Sequence, residues 1–549
     1  MVVKTITFEM RVFLLLVLVS TAVADLVIDL PDGRIRGHEI RTESSSMYAF
    51  QGIPFGRPPV GKLRFQAPLP SEPWEGVLEA NRTAASCIVV MHFDGDPEID
   101  EQNEDCLYLN VYTPARQITE KLPVLFWIYG GGFIGGCASY DYYGPDDLVN
   151  EDVIIVTVNY RLGFYGFLST EDKAILGNAG LKDQLLALKW AQKNIEFFGG
   201  DPEKITIFGE SAGGISVGAH VVNSKSKGLF RAAICQSGCS LTTVLQSNAR
   251  QNVYDLAKIF DPTISEKNTT TEIRDFLQSL PSDVLAQAGT ELGLLLGAVV
   301  EVEDEDAFIT KPAVPLLESG NFNQVPLIIG TVSEESIGFL PTISDIEEAA
   351  RSYDADVTAL LPVDLVPLEG ANLTEAGIVI KDAYTDRDRT FSEDLSRTLK
   401  YFSDNIFGRP TLKQVKIQSN FTPVYLYQFS FAGTKSQNRT VIEGAGKVGH
   451  ADELAYLFKI STFPLATEAD FLTRKRMVKM WTNFAKTLNP TPDASDPILN
   501  VTWPSVSSID IQYLDIDDTL QVKPNGKVKQ MEMWDYVYET YGKRPFYYF

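Results

Sequence analysis

Positive charge is scarce in this chain. Its 549 residues include 48 lysines and arginines against 72 aspartates and glutamates, which gives a formal net charge of −24 at neutral pH. No basic patch with interleaved aromatic residues occurs, and so negative a chain repels phosphate backbones. We therefore expect no nucleic-acid partner. A hydrophobic fraction of 44% with 11% aromatic residues is typical of a folded globular protein.

Long apolar runs are also scarce, and only the N-terminus has one. There "VFLLLVLVSTAVA" begins after Arg11 and ends on the small residues Ala22-Val23-Ala24. The run is well short of the roughly 20 residues that cross a bilayer, and its small residues suit cleavage by signal peptidase. We predict a signal peptide over residues 1–24, a mature domain over residues 25–549, and secretion. The C-terminus lacks a lipid-anchor signal, so we expect no membrane anchor.

Cysteine is rare as well. The chain has five, and an odd number in a secreted protein leaves at least one outside a disulfide. Cys87 and Cys106 bracket a polar loop, and we predict that a disulfide between them closes it. Cys235 ends the apolar run "RAAIC" and is interpreted as a buried thiol, whereas the pairing of Cys137 and Cys239 is left open.

Acceptor motifs for N-glycosylation agree with the predicted secretion. Six asparagines are each followed two residues later by threonine: Asn81, Asn268, Asn372, Asn420, Asn438 and Asn500. We therefore expect N-linked glycans, without predicting which positions carry them.

Strand and helix patterns alternate in the first half of the chain. "PVLFWIYGG" and "DVIIVTVNYRLG" are continuous apolar runs of strand length, as in parallel strands that are buried on both faces. "DQLLALKWAQKNIEFF" has the apolar spacing of a helix, and "KITIFG" is a further strand. This alternation predicts an α/β fold with a mostly parallel central sheet flanked by helices. Because no internal repeat or linker interrupts the pattern, we expect one domain with large insertions.

One short stretch points to catalysis. Gly209-Glu210-Ser211-Ala212-Gly213 lies where the strand "KITIFG" gives way to the helix pattern "GISVGAHVV". Small residues beside a serine allow the sharp strand-to-helix turn called a nucleophile elbow, which exposes the hydroxyl group. Ser211 is therefore the candidate nucleophile of a hydrolase.

A serine nucleophile needs a histidine base and an acid that orients it. In folds with this elbow the order along the chain is serine, acid, histidine. The chain has four histidines, and only His450 lies far downstream of Ser211. The strand-like run "VPLIIG" is followed by Glu334 and Glu335, and loops at the carboxyl ends of parallel strands carry the functional groups of such folds. His450 is the candidate base, and one of these two glutamates is the candidate acid.

A glycine triplet completes the pattern. Gly130, Gly131 and Gly132 follow the strand "VLFWIY". Glycines let the backbone direct its N–H groups at the oxyanion that forms when a serine attacks a carbonyl, and the N–H of Ala212 supplies another donor. Together with the elbow and the downstream histidine, the triplet predicts a serine hydrolase. We expect neither a cofactor nor a metal.

Six motifs in order resemble the type-B carboxylesterase and cholinesterase family of α/β-hydrolases. They are "GIPFGRPPVGKLRF", "NEDCLYLNVYTP", "YGGGF", "VNYRLGFYGFLS", "GLKDQLLALKWAQKNIEFFGGDP" and "GESAGG". The resemblance extends over nearly the whole mature chain. It implies the α/β-hydrolase fold, with large insertions around an active-site gorge, and the chain looks most like a secreted insect-type serine carboxylesterase that acts on small-molecule esters.

The resemblance also implies roles for individual residues. By position, it makes Ser211 the nucleophile, His450 the base, and Gly131, Gly132 and Ala212 the oxyanion donors. The acid of the family lies in a D-E-G-like segment, which aligns with Glu335 in "SEESIGF", although Ser336 replaces the usual glycine. The first disulfide of the family matches Cys87 with Cys106. Its second has no counterpart, because no cysteine follows Cys239.

Specificity is less constrained. Juvenile hormone esterases usually carry a glutamine before the serine, and Glu210 departs from that pattern. Cholinesterases place a cation-binding tryptophan inside the disulfide loop, but no tryptophan lies between Cys87 and Cys106, where Phe93 is a weaker platform. We expect uncharged aliphatic or aryl esters as substrates, with a role in detoxification or in odorant or pheromone ester degradation. The alternative is a non-catalytic interaction protein of the same family, although such proteins typically lose the nucleophile.

Overall fold

An eleven-stranded sheet runs through the molecule, accompanied by a separate sheet of three strands. The computed structural model describes residues 26–42, 46–93, 97–99, 101–114, 120–242, 246, 248–292, 296–385, 389–437, 439–507 and 510–549. In these ranges the strands are β1 (Val27–Leu30), β2 (Gly33–Arg36), β3 (His38–Arg41), β4 (Ser46–Pro54), β5 (Val77–Glu79), β6 (Tyr108–Pro114), β7 (Leu122–Ile128), β8 (Ile154–Val158), β9 (Gly200–Glu210), β10 (Ala232–Gln236), β11 (Leu327–Val332), β12 (Val424–Phe429), β13 (Gln512–Ile516) and β14 (Leu520–Pro524).

The middle of the large sheet is parallel. Its strand order is β14-β13-β12-β11-β10-β9-β7-β8-β6-β4-β3, and the pairs from β13 to β8 are parallel, whereas antiparallel pairs lie at both ends. Every residue of β8 and β10 is buried, so both faces of the sheet are covered there. This burial explains the continuous apolar runs in the sequence. The predicted α/β fold with a mostly parallel central sheet is confirmed.

Helices follow the strands and fill two long insertions. They are α1 (Tyr140–Tyr143), α2 (Asp146–Val149), α3 (Gly163–Phe167), α4 (Ala179–Asn194), α5 (Ala212–Val222), α6 (Ala249–Phe260), α7 (Thr270–Ser279), α8 (Ser282–Leu292), α9 (Ala313–Glu318), α10 (Ile343–Ala355), α11 (Leu373–Tyr384), α12 (Leu395–Ser403), α13 (Arg409–Gln418), α14 (Glu468–Thr487) and α15 (Val528–Tyr541). The predicted helix in "DQLLALKWAQKNIEFF" is α4 continued by a 3₁₀ turn, Ile195–Phe198. Helices α6 to α9 lie between β10 and β11, and α10 to α13 lie between β11 and β12.

The disulfide prediction is also confirmed. Cys87 and Cys106 are joined by an S–S bond of 2.04 Å. Cys235 is buried as a thiol, as predicted, and so are Cys137 and Cys239. In the part of the chain that the structure describes, no helix has the length and apolar character needed to cross a membrane. The predicted signal peptide, residues 1–24, lies outside the described residues.

The parallel strands bring three chain segments to one edge of the sheet. Strand β9 pairs with β7 on one side and with β10 on the other, and β10 pairs in turn with β11. The carboxyl ends of parallel neighbours lie at the same edge. The glycine triplet after β7, the elbow after β9 and the glutamate pair after β11 therefore face a common region.

Candidate active site

Ser211 occupies a strained turn between β9 and α5. Its φ of 56° and ψ of −125° lie in a region that residues other than glycine rarely adopt. The Ser211 N–H donates to the carbonyl of Gln236 at 2.9 Å, which holds the turn against β10. A Cβ on Gly213 would overlap the carbonyl oxygen of Ile128. Glycine is needed at that position because it lets α5 start directly against β7.

His450 and Glu335 are in direct contact. The Nδ1 atom of His450 lies 2.6 Å from Oε2 of Glu335. The other oxygen of Glu335 accepts hydrogen bonds from the hydroxyl of Ser237 at 2.6 Å and from the N–H of Val332 at 3.0 Å. Because these two hydrogen bonds fix the carboxylate through Oε1, its Oε2 presents a fixed acceptor to Nδ1. This arrangement favours the tautomer with its proton on Nδ1, which leaves Nε2 as the basic nitrogen.

Glu334, the other acid candidate, points away from His450. Its Oε1 accepts hydrogen bonds from the hydroxyls of Ser403 at 2.6 Å and Ser336 at 3.3 Å, and its Oε2 accepts one from the N–H of Gly446 at 3.1 Å. Burial raises the pKa of this carboxyl above its ordinary value. Glu334 therefore connects the segment after β11 with α12 and with the loop that leads to His450.

The glycine triplet lies against the elbow. A Cβ on Gly130 would lie 2.6 Å from the carbonyl oxygen of Glu210 and 2.9 Å from the Cβ of Ser211. Gly131 and Gly132 have φ values of 94° and 61°, which only glycine adopts readily. Gly130 therefore packs directly against the elbow, and Ala212, a predicted oxyanion donor, follows Ser211 at the start of α5.

Two further glutamates lie near the imidazole, and the sequence reasoning gave neither of them a role there. Oε1 of Glu210 lies 3.2 Å from Nε2 of His450. Glu453 is fully buried and accepts a hydrogen bond from Gln236 Nε2 at 3.2 Å. Burial, followed by the charges of Glu210 and Glu335, raises the pKa of Glu453 to about 8. The sequence signal for both was their position along the chain, because Glu210 immediately precedes Ser211 and Glu453 follows His450 by three residues.

Aromatic rings border the same region. The ring of Phe93, in the disulfide loop, lies 3.4 Å from where a Cβ on Gly131 would be. The ring centroids of Phe339 and Phe407 lie 4.9 and 4.7 Å from that of His450. The sequence reasoning considered Phe93 but missed the other two, because the chain path brings them to His450 from separate segments.

The predicted glycosylation sites differ in exposure. Asn81, Asn372, Asn420 and Asn500 are exposed, and Asn268 is half-buried. The side chain of Asn372 also caps α11 by accepting a hydrogen bond from the N–H of Glu375 at 3.2 Å. Asn438 lies outside the described residues. Glycosylation of these positions stays a prediction.

The strained elbow, the glycine loop and the buried histidine and glutamate pair on a mostly parallel sheet define an α/β-hydrolase. Residues 24–534 match the sequence model of the Carboxylesterase family. The chain belongs to this family and is a carboxylic ester hydrolase.

Relatives of known activity agree with this assignment. A juvenile hormone esterase of Tribolium castaneum is 34% identical over 85% of this chain and 84% of its own length. The pyrethroid hydrolase Ces2e of Rattus norvegicus is 34% identical over 91% of this chain and 88% of its own. The crystal structure of juvenile hormone esterase from Manduca sexta, with OTFP covalently attached, is similar with a TM-score of 0.82 and 29% identity, covering 94% of this chain and 100% of that one. These esterases support an enzyme rather than the non-catalytic alternative.

Proposed function

We propose that the protein is a secreted serine carboxylesterase that hydrolyses uncharged carboxylic esters through an acyl-enzyme on Ser211. The observation that carries this proposal is the 2.6 Å contact between Nδ1 of His450 and the doubly anchored carboxylate of Glu335. It orients the imidazole and stabilises its positive charge, as the acid of a catalytic triad does. The covalently attached OTFP in the Manduca sexta relative supports covalent catalysis in this family.

The first half of the reaction forms the acyl-enzyme. Nε2 of His450 takes the hydroxyl proton as Oγ of Ser211 attacks the ester carbonyl. The oxyanion that results accepts hydrogen bonds from the N–H groups of Gly131, Gly132 and Ala212. When the tetrahedral intermediate collapses, the carbon–oxygen bond to the alcohol breaks, and Nε2 returns its proton to the departing oxygen.

The second half releases the acid. A water molecule attacks the acyl carbon while Nε2 takes one of its protons, and the bond between the carbon and Oγ of Ser211 then breaks. Nε2 returns the proton to Oγ, which restores the enzyme and frees the carboxylic acid. In both halves the imidazolium lies between two carboxylates, since Glu335 contacts Nδ1 and Glu210 lies 3.2 Å from Nε2. Glu210 thereby adds to the stabilisation of the charged ring.

The surroundings of the site favour uncharged substrates. The ring of Phe93 packs against the glycine loop. The rings of Phe339 and Phe407 lie beside the imidazole of His450. The nearby carboxylates of Glu210 and Glu335 are buried, with side chains only 3% and 2% exposed. An apolar ester can therefore dock against the rings. The carboxylates of Glu210 and Glu335 are too buried to form an ion pair with an ester whose alcohol half carries a positive charge. A role in detoxification or in odorant or pheromone ester degradation fits such a substrate range.

A second candidate is hydrolysis of juvenile hormone. The Tribolium castaneum relative and the Manduca sexta structure both carry that activity in their names. Glu210 in place of the usual glutamine argues against this narrower specificity. A direct comparison of juvenile hormone with simple aryl acetates, made with one preparation, separates the two candidates.

The experiment that tests the proposed function uses the purified full chain and 4-nitrophenyl acetate. Wild-type protein should release 4-nitrophenol steadily, and Ser211→Ala should lose about 10⁴-fold or more of kcat. The substitution removes only one hydroxyl, so the circular dichroism spectrum of the variant should match that of the wild type. Near-normal turnover by folded Ser211→Ala would refute the proposal. Recovery of the wild-type protein from culture medium, cleaved after Ala24, tests secretion.

A further inference from the structure

Two adjoining cavities run along one face of α5 toward its C-terminal end. Ile215, Ala219 and Val222 lie on this face, since they are spaced four and three residues apart. The inner cavity borders all three, and the outer one borders Ala219 and Val222 and reaches the residues just after the helix, up to Lys225. Because the 11 residues of α5 span about 16 Å, the mouth of the outer cavity is far from Ser211 at the other end of the helix.

The inner cavity is narrow and apolar. Its volume of about 30 Å³ is enough for the last few carbons of a chain. Apolar side chains form most of its wall, among them Phe133, Leu181, Ile215, Ala219, Val222 and Ile309. Since Phe133 directly follows the glycine triplet, the inner end of this cavity lies next to the glycine loop.

The outer cavity is larger and has lysines at its mouth. Its volume is about 290 Å³, and Lys225 and Lys311 both border it. Nζ of Lys225 donates a hydrogen bond to the carbonyl of Glu305. Lys311 is exposed and takes part in no ion pair among the residues that the structure describes. The ammonium group of Lys311 is therefore available to a ligand.

Two acidic residues also border the outer cavity. Asp304 is paired with Lys173 at 2.9 Å, so its charge is already balanced. Glu303 is exposed. Lys225 and Lys311 therefore outnumber the one remaining carboxylate, and the mouth favours an anion although the chain as a whole is strongly negative.

The wall that faces α5 is preformed. Buried Glu301 pairs with buried Lys182 at 2.6 Å. Oε2 of Glu301 also accepts hydrogen bonds from the N–H groups of Phe308 at 2.7 Å and Ile309 at 2.8 Å. Asn223 Nδ2 donates to the carbonyl of Phe308 at 2.7 Å, which ties this segment to the end of α5. A ligand therefore need not order the wall when it binds.

A lysine at the mouth of an apolar slot fits a carboxylate that carries a hydrocarbon chain. The ammonium and the carboxylate form a charge-assisted hydrogen bond, and the apolar wall removes the chain from water. We propose that the two cavities bind the anion of a medium-chain carboxylic acid, with its carboxylate at Lys311 and its chain between α5 and the segment 307–309. The proposed reaction releases acids of this class, but the site does not depend on that reaction or on Ser211.

Calorimetric titration of the purified full chain with sodium octanoate tests the proposal. Lys311→Gln should weaken octanoate binding about tenfold, because it removes the charge that pairs with the carboxylate. Ala219→Leu should weaken binding at least as much, because the larger side chain fills the junction of the two cavities. The matched control is Lys227→Gln, since Lys227 is an exposed lysine on the same surface that borders neither cavity.

The charge of the ligand is tested with two compounds that have the same chain. Neutral 1-octanol should bind about tenfold more weakly than octanoate, and Lys311→Gln should not weaken it further. Octylammonium should bind most weakly. Tighter binding of octylammonium than of octanoate would show that Glu303 selects the ligand, and would overturn the inference.

The remaining outcomes are distinguishable. Absence of octanoate binding, or binding that neither Lys311→Gln nor Ala219→Leu weakens, overturns this inference and leaves the proposed function intact. Octanoate binding that depends on Lys311, in a protein without Ser211-dependent hydrolysis, refutes the proposed function alone. If Ala219→Leu does not fold, Lys311→Gln still decides the question, because its side chain is exposed.

Discussion

Glu210 and Glu335 contact opposite nitrogens of one imidazole ring, that of His450, at 3.2 and 2.6 Å. The ring is thereby held between two buried carboxylates. Burial, followed by the charges of these two carboxylates, raises the pKa of a third carboxyl, that of Glu453. A pKa of about 8 keeps Glu453 mostly protonated at neutral pH.

The two adjacent glutamates should differ sharply in their effect on catalysis. Glu335→Gln removes the charge that stabilises the imidazolium and should lower kcat about 10⁴-fold, as loss of the acid does in other triads. Glu334→Gln should cost less than about tenfold, because Glu334 bonds to Ser403 and Gly446 instead of His450. Steady-state kinetics with 4-nitrophenyl acetate measures both. A larger loss for Glu334→Gln would move the acid assignment by one residue.

Ser237 should affect catalysis through Glu335. Its hydroxyl donates to Oε1 of Glu335 at 2.6 Å, and hydrogen bonds to charged groups are among the stronger ones in proteins. Ser237→Ala leaves Oε1 with the N–H of Val332 alone. We expect kcat to fall about tenfold, equivalent to about 1.4 kcal/mol, with little change in KM. Unchanged kcat in a folded variant would show that catalysis does not need the hydrogen bond from Ser237 to Glu335.

Glu453 should make the folding stability depend on pH. Burial raises its pKa to about 8, well above the ordinary value of 4.5, so between these values the folded chain holds a proton that the unfolded chain has lost. This contribution to stability is present at low pH and is lost as the pH rises through this window, at up to about 1.4 kcal/mol per pH unit. Glu453→Gln cannot titrate, so its stability relative to the wild type should increase from about pH 5 to about pH 8.

Urea unfolding midpoints at three pH values in that window measure this difference. The exposed Glu443 lies in the segment that leads to His450, so Glu443→Gln is a suitable control and should follow the wild type. If the midpoints of Glu453→Gln and the wild type changed in parallel with pH, Glu453 would not carry the proton assigned to it.

Uncharged acetates should be better substrates than acetylcholine. The ring of Phe93 packs against the glycine loop. The disulfide loop, to which Phe93 belongs, contains no tryptophan that could bind a quaternary ammonium group. We expect kcat/KM to be higher for naphthyl or 4-nitrophenyl acetate, compared in one preparation so that only the alcohol half differs. An advantage of tenfold or more for the choline ester, about 1.4 kcal/mol, would reveal a cation site that this account lacks.

The parts of the site that depend on local sequence were predictable. The elbow around Ser211 and the glycine triplet carry their signal within a few residues, since their backbone geometry requires small side chains. The strands β7 and β8 were equally clear, because burial on both faces demands continuous apolar runs.

The remaining features depend on how distant segments meet. Glu334 and Glu335 are adjacent and alike, so spacing left the acid open and only the family resemblance favoured Glu335, which contacts His450 from the 3₁₀ turn after β11. Phe407 reaches the imidazole through a π-helical turn, which changes the side-chain direction without a distinctive residue pattern. The raised pKa of Glu453 results from its burial, followed by the charges of Glu210 and Glu335, which come from two other segments of the chain.

The most direct test of the central claim is to trap the acyl-enzyme. The purified protein is mixed with excess 4-nitrophenyl acetate, quenched in acid within the first turnovers, digested and mapped by mass spectrometry. The account predicts one acetyl group on the peptide that contains Ser211, and no such label in Ser211→Ala. A stable acetyl group on another residue, or Ser211-dependent hydrolysis with no trapped acyl group under conditions that capture a known serine esterase, would contradict it.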